Sequence, residues 1–406
     1  MFCLRVVAAV GLCGCLAWFV DSPVRGESVE TERVDAVRKL EANVIATDGK
    51  EGEATRERLR RMIEKDVSDR LRKGNLNDVF AFRKIKNRAD WERSTKTRIE
   101  ALRRSLGSFP EPPKDLNVRV TRSDERDGYV VENVVFESRP GLLVTAHLYR
   151  PEKPGKSMPG IVISHSHHRP KEQGELQQMG ANWARRGCVV VVPDHIGHGE
   201  RRQHPFRSAD DYPDSFRVSR QDYYFRYNVG MQLHIAGDSL IGWMVWDLSR
   251  CVDLLLSQPG VDKSRIIMLG AVAGGGDPCA VTAAVDTRIA AAVPFNFGGP
   301  QPESRASLGD DAEMTMSYSG SGGWESTRNL RLTVRDGFFH YVIVGSIAPR
   351  KLIYAHEFTW DQPHDPVWKR FQTLWGDRYG VRDSLAFTHG YGQVTLSSSE
   401  ASHCTN

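Results

Sequence analysis

Neither sign of charge dominates this chain. Its 406 residues carry 55 Lys and Arg against 51 Asp and Glu, a formal excess of +4. That is too little to grip a polyanion, and no stripe interleaves arginine with exposed aromatics, so no nucleic-acid partner is expected. Long apolar runs are also missing. The fifteen-residue VVAAVGLCGCLAWFV, Val6–Val20, falls short of the about 20 residues a membrane-spanning helix needs, and no stable membrane span is expected. Cysteine is scarce, seven in all with three of them in the first fifteen residues, and no cysteine spacing fits a metal site. What remains, 40% hydrophobic and 26% charged, is the composition of a soluble globular protein with one large core.

The apolar run follows a single Arg5, the arrangement of a signal peptide over residues 1–28 with cleavage near Gly26 or Ser28, and it predicts a secreted or periplasmic protein. A lipoprotein anchor at Cys15 is the weaker reading, because Cys13 sits where that signal prefers a small residue. The mature chain keeps Cys188, Cys251, Cys279 and Cys404. Cys188 and Cys251 read as small buried hydrophobes rather than a bridge. Residues 29–110 form a charged helical extension. From Glu51 to Leu106 there are 17 Lys or Arg and 10 Asp or Glu, interspersed, with Leu59, Met62 and Ile63 at helical spacing, which predicts a solvated helix face. The prolines of GSFPEPPKDLNV end it near Phe109.

A different rhythm follows. GYVVENVVFES and LLVTAHLYRP, parted by a turn, predict an antiparallel hairpin. Then PGIVISHS, CVVVVPD, SRIIMLG, IAAAVPFNF and RKLIYAHEF are continuous apolar strands separated by helices, and DSLAFTHG makes one more edge. Strands without alternation, divided by helices, mean a mostly parallel central sheet covered on both faces, an α/β architecture.

The order of hairpin, ISHSHHR loop, PDHIGHGERR loop, strand–turn–helix at Gly270 and SIAPRKLIYAHEF strand resembles the α/β-hydrolase superfamily. In particular it is similar to secreted bacterial esterases of the acetyl xylan esterase and dienelactone hydrolase type, over roughly 117–406. The resemblance implies a nucleophile elbow, G-x-S-x-G, on which a serine is lifted above the sheet. Here those positions are Gly270, Ala271, Val272, Ala273 and Gly274. Val272 has no heteroatom, so the serine mechanism cannot run through it. The resemblance further implies oxyanion donors at the backbone N–H of Ser166 or His167 and of Ala273. It implies an acid at Asp365 or Asp361, with Glu357 as a third possibility, and a catalytic histidine at His403 or His389. A helix should follow His403 in this fold, and the chain stops three residues later, so the domain is expected to lack its final helix.

Asp277 reads as a helix cap; Ser164, Ser166 and Ser239 are hydroxyls without elbow spacing. Within DHIGHGER, a loop ordered by local pairing of Glu200 and Arg201 is expected. A metal site from His165, His167, His168, Asp194, His195 and His198 is the alternative of a different class. It lacks the aspartate that completes such a signature, since Arg169-Pro170 follows, and neither a metal nor another cofactor is expected. Trp243 and Trp246, three apart on a helix, read as core packing, whereas Trp324 in a Gly/Ser-rich insertion reads as either a sugar platform or a loop anchor. The expectation is an exported α/β-hydrolase-fold protein that acts on acyl groups of a carbohydrate or other small ester, or else a catalytically inactive relative that binds a ligand or partner at the same pocket.

Overall fold

A computed structural model describes residues 49–165, 170–202, 228–270, 272–297, 302 and 330–390, with the backbone alone at 272 and 273. Residues 1–48, which carry the expected signal peptide, fall outside the described residues. No described helix is long and apolar enough to cross a membrane. The chain divides into two compact units, Met1–Val67 and Ser68–Asn406. In the first, helix α1 (Gly49–Arg60) presents a charged, largely exposed surface, with Arg60 paired to Glu57. Helix α2 (Met62–Arg83) crosses the boundary.

In the second unit, helix α3 (Arg88–Ser105) starts where the Asn87 side chain accepts from the Asp90 N–H at 2.9 Å, which satisfies one of the donors that a helix start leaves free. Its apolar stripe buries Trp91, Leu102 and Leu106 in the main core, so this helix is solvated on one side only. Asp78, on α2, is buried and accepts from Arg98 (2.9 Å), Arg370 (3.2 Å) and the Tyr341 hydroxyl (2.9 Å).

Nine strands form one sheet in the order β1-β2-β3-β5-β4-β6-β7-β8-β9. The expected hairpin is β2 (Tyr129–Arg139) with β3 (Leu142–Pro151). Preceding it is β1 (Arg119–Arg126), whose residues are nearly all exposed and charged or polar. Nothing in its sequence announces a strand, because an edge strand wet on both faces needs no apolar alternation, and its charges discourage further pairing. The parallel part comprises β4 (Met158–Ser164), β5 (Val189–Pro193), β6 (Val261–Gly270), β7 (Ala291–Pro294), β8 (Lys351–His356) and β9 (Leu385–His389). The run VVVVP of β5 is buried at every position, as a strand covered on both faces requires.

Helix α4 (Gly174–Arg185) packs on one face against β2, β3 and β5; α5 (Leu240–Leu256) and α6 (Val272–Val285) lie on the other. Beyond α4, an apolar pocket lined by Ile161, Trp183, Ile267, Leu269, Val293 and Ile353 opens on the sheet. Among the described residues, Cys188, Cys251 and Cys279 are free and buried. Trp246 is buried as core packing demands, but Trp243 is only half-buried.

Candidate functional site

Strand β6 ends at Gly270 and α6 begins at Val272, so strand and helix follow each other closely in the chain. The glycines explain how so close a succession packs. A Cβ on Gly275 would stand 2.1 Å from the Ser164 carbonyl oxygen, and one on Gly276 would stand 1.7 Å from the Phe295 carbonyl oxygen. The helix start is therefore wedged between the ends of β4 and β7, backbone against backbone. This also corrects the reading of Asp277. The helix begins five residues ahead of it, so Asp277 lies fully buried within α6 and not at its cap. The Val272 and Ala273 N–H groups belong to the first turn, whose donors have no partner within the helix. They face the C-terminal rim of the sheet with the positive end of the helix dipole.

The two histidine loops meet on the same rim. The His165 and His195 rings lie 4.2 Å apart and His198 lies 5.3 Å from His165, all three buried. His195 N–H donates to His165 Nε2 at 2.9 Å, so neutral His165 carries its proton on Nδ1. His195 Nε2 sits 3.1 Å from both the His165 carbonyl and Ser164 Oγ. A carbonyl only accepts, so Nε2 is the donor, and it has no lone pair with which to draw a proton from Ser164. Ser164 thus has a histidine neighbour of the wrong polarity for a nucleophile. Burial, reinforced by the neighbouring His165 and His198, pushes the His195 pKa well below the usual imidazole value. Among the described residues, no group of three His, Cys, Asp or Glu is arranged to hold a metal ion.

Asp194 fixes this loop. Its carboxylate accepts from Lys171 Nζ at 2.6 Å and from Thr145 Oγ1 at 2.7 Å. Burial works to raise its pKa, but Lys171 and Thr145 outweigh burial and hold it below the usual carboxylate value. Glu200 and Arg201 do not pair with each other as expected. Glu200 takes Lys171 at 2.6 Å, and buried Arg201 reaches Asp247 at 2.8 Å and the Asp194 carbonyl at 3.0 Å. A buried guanidinium needs a buried carboxylate, which adjacent Glu200, its side chain 69% exposed, cannot supply.

At the other end of the rim, His356 and His389 are register partners on β8 and β9. The side-chain oxygen of Asn296, which has a left-handed φ of 49°, accepts the Glu357 N–H at 2.9 Å and lies 2.6 Å from His356 Nδ1. His356 Nδ1 therefore carries the proton. Its Nε2 is buried without a partner. Burial, then the nearby His389, lowers the His356 pKa to about 3. In the sequence this residue stands only as part of the RKLIYAHEF strand. The available signal was a histidine at the C-terminal end of an apolar strand.

Residues 112–297 match the acetyl xylan esterase family. Among curated proteins, the chain is 24% identical over 203 residues to YtaP of Bacillus subtilis (strain 168), a presumed hydrolase. That stretch is 47% of this chain and spans 60% of the relative's length. Among solved structures, a presumed acetyl xylan esterase of Bacteroides fragilis NCTC 9343 superposes with a TM-score of 0.55 at 20% identity, over 75% of this chain and 76% of that one. The fold is that of the α/β-hydrolases.

In an α/β-hydrolase the rim beyond β6, β8 and β9 is where the triad positions fall, and the remaining candidates can be placed on it. Asp365 is fully buried and caps helix α7 (Pro366–Gln372), accepting from Val367 N–H at 2.8 Å and Trp360 Nε1 at 2.9 Å. Asp361 lies 2.7 Å from His364 Nδ1. His389 ends β9 half-buried, its ring parallel to that of Phe387 and its Nδ1 3.2 Å from the Gly390 carbonyl. The structure thus brings His389 to His356, while Asp365 accepts from Trp360, whose ring, like that of Trp368, packs on Phe387. Ser166, His167, Trp324 and His403 lie outside the described residues, and of Val272 and Ala273 only the backbone is described.

Proposed function

We propose that the protein is an exported carboxylic-ester hydrolase acting on acyl groups of a carbohydrate or another small ester. The observation that carries this reading is the acetyl xylan esterase match over 112–297, which ends just past a strand–turn–helix elbow whose first-turn N–H groups face the rim. Such donors stabilise the oxyanion of acyl transfer whatever attacks the carbonyl. With valine at position 272 the attacking group is a water, activated by an acid–histidine pair drawn from Asp365 or Asp361 and His403 or His389. The N–H of Ala273, with that of Ser166 or His167, receives the developing charge. Export rests on the apolar leader Val6–Val20.

Val272 itself favours a second reading, a catalytically silent relative that binds a ligand or partner at the same rim. Acetate release from p-nitrophenyl acetate and acetylated xylan, measured for the wild type, Val272→Ser and His403→Ala, separates the two. Wild-type turnover that is lost in His403→Ala supports the serine-independent esterase. A silent wild type with activity only in Val272→Ser supports the binding protein.

A further inference from the structure

Away from the elbow, the same C-terminal rim carries a second group of polar atoms without partners. It lies where β2 ends. The pairing of β2 with β3 slips between Glu137 and Arg139, leaving Ser138 as the extra residue of a β-bulge. Bulges re-aim side chains and recur beside functional sites. The next residue, Arg139, lays its guanidinium 4.4 Å over the ring of Trp243 and 5.7 Å from that of Trp246. Both tryptophans are themselves fixed: Trp243 Nε1 donates to Asp238 at 3.2 Å and Trp246 Nε1 donates to the Ser138 carbonyl at 2.7 Å.

The guanidinium is thus stacked and oriented, yet its Nε and Nη2 are buried with no hydrogen-bond partner, and so is the hydroxyl of Ser138. Nε–H and Nη2–H point the same way. Together they are the side-on fork with which arginine takes two oxygens of one oxoanion. A buried donor with nothing to donate to is destabilising, and more so when it is charged. An acceptor with two oxygens removes that cost. The surrounding charges do not supply it. Asp247 accepts from Arg201 and Asp238 accepts from Trp243 and from the Ser108 N–H, while Arg250, over the Trp246 ring at 4.4 Å, pairs with Asp253.

We propose that the Arg139 fork, with the adjacent Ser138 hydroxyl, is a binding site for a carboxylate or sulfate group of a ligand that enters at the C-terminal rim. The half-buried Trp243 ring gives that ligand an apolar face, and this combination suits an acidic sugar. Four strand spacings separate β2, which carries Arg139, from β6, about 19 Å at about 4.8 Å each. On the ester reading, Arg139 would hold an acidic unit of the chain whose acyl group lies at the elbow; that link rests on the ester reading, but the anion site does not.

The test is calorimetric titration of the full-length protein with galacturonate, glucuronate, glucose and inorganic sulfate, with tryptophan fluorescence as a second readout. The wild type is expected to bind at least one of the anions tenfold or more tighter than glucose. Arg139→Gln loses that preference, and Arg139→Lys, which keeps the charge but not the fork, loses most of it. Preference for the uronates identifies a carboxylate source, and preference for sulfate identifies a sulfate source. Equal binding of acid and neutral probes, no binding of either, or an unchanged preference in both variants overturns the proposal. A wild type without preference whose Arg139→Gln only melts earlier would mean that ordered water joins the fork to the unpartnered Asp247 Oδ1 and the site is structural. No ester is hydrolysed in these assays, so an inactive enzyme and an absent anion site give different results.

Discussion

Replacing Gly276 by alanine puts a methyl group 1.7 Å from the carbonyl oxygen of Phe295, 2.7 Å from its carbonyl carbon and 2.9 Å from its nitrogen. All three atoms are backbone, so no rotamer change relieves the contact, and real Cβ atoms essentially never approach closer than 3.0 Å. Either α6 lifts off the sheet by more than an ångström or β7 gives way. Overpacking of a well-filled core costs about 1–3 kcal/mol where side chains can adjust. With backbone on both sides the cost should be at the top of that range, about 3 kcal/mol. The helix propensity that alanine gains over glycine offsets about 1 kcal/mol of this, for a net loss of about 2 kcal/mol. Gly174→Ala is the control: it opens α4, has nothing within 4 Å of its would-be Cβ, and should be neutral or stabilising. Urea unfolding of the wild type and both variants measures the difference. A Gly276→Ala protein within 0.5 kcal/mol of the wild type would refute the wedge between β4 and β7.

Asp194→Asn leaves buried Lys171 with only the exposed Glu200 as counter-charge and should cost about 3 kcal/mol, the lower end of what breaking a buried pair costs; Glu92→Gln, at the exposed Arg88 pair, should cost less than about 1 kcal/mol, and similar losses by urea titration would contradict the assignment. Stability should also fall with acid through His356, whose pKa is held at about 3. At pH 7 its imidazole is neutral in both states. Below about 6.5 the unfolded chain takes up the proton and the native state does not, so stability drops by about 1.4 kcal/mol per pH unit until pH nears the native value. At pH 4.5 this amounts to about 2–3 kcal/mol. His356→Gln should remove that share of the pH dependence, and an unchanged slope between pH 7 and pH 4.5 would contradict the burial of a neutral imidazole. Val272→Ser, assayed for acetate release, should give activity in a silent wild type or leave an active one dependent on its histidine.

The parallel strands were legible because each is an apolar run bounded by loop residues, and VVVVP needs no alternation when both faces are covered. The strand–turn–helix was legible from its glycines. Strand β1 was not, since its apolar signal is absent where water covers the edge. Nor were the partners on the rim. Sequence proximity suggested Glu200 with Arg201, but burial sends Arg201 to Asp247, forty-six positions away, and Lys171 to Asp194. Asp365 illustrates the same limit. Its acid-then-proline context gives no sign that its carboxylate also caps a helix and accepts from Val367 and Trp360. Asn296 and His356 escaped notice because a buried side-chain hydrogen bond between a loop and a strand end sixty residues away leaves no periodic trace.

These contacts change what the elbow can say about activity. Retained glycines would ordinarily be read as the remains of a catalytic turn. Here Gly275 and Gly276 are required by the Ser164 and Phe295 carbonyls, whether or not a serine ever stood before them. They therefore carry no weight between the esterase and the silent binder. The first-turn N–H groups do not separate them either, because a helix start aimed at the rim serves an oxyanion and a bound anion alike. Both readings use those donors, and they differ only in whether a proton is moved nearby. That makes the histidine the discriminating group: a binder should tolerate loss of His389 or His403 with its ligand still held, whereas an esterase should keep its ligand and lose its turnover.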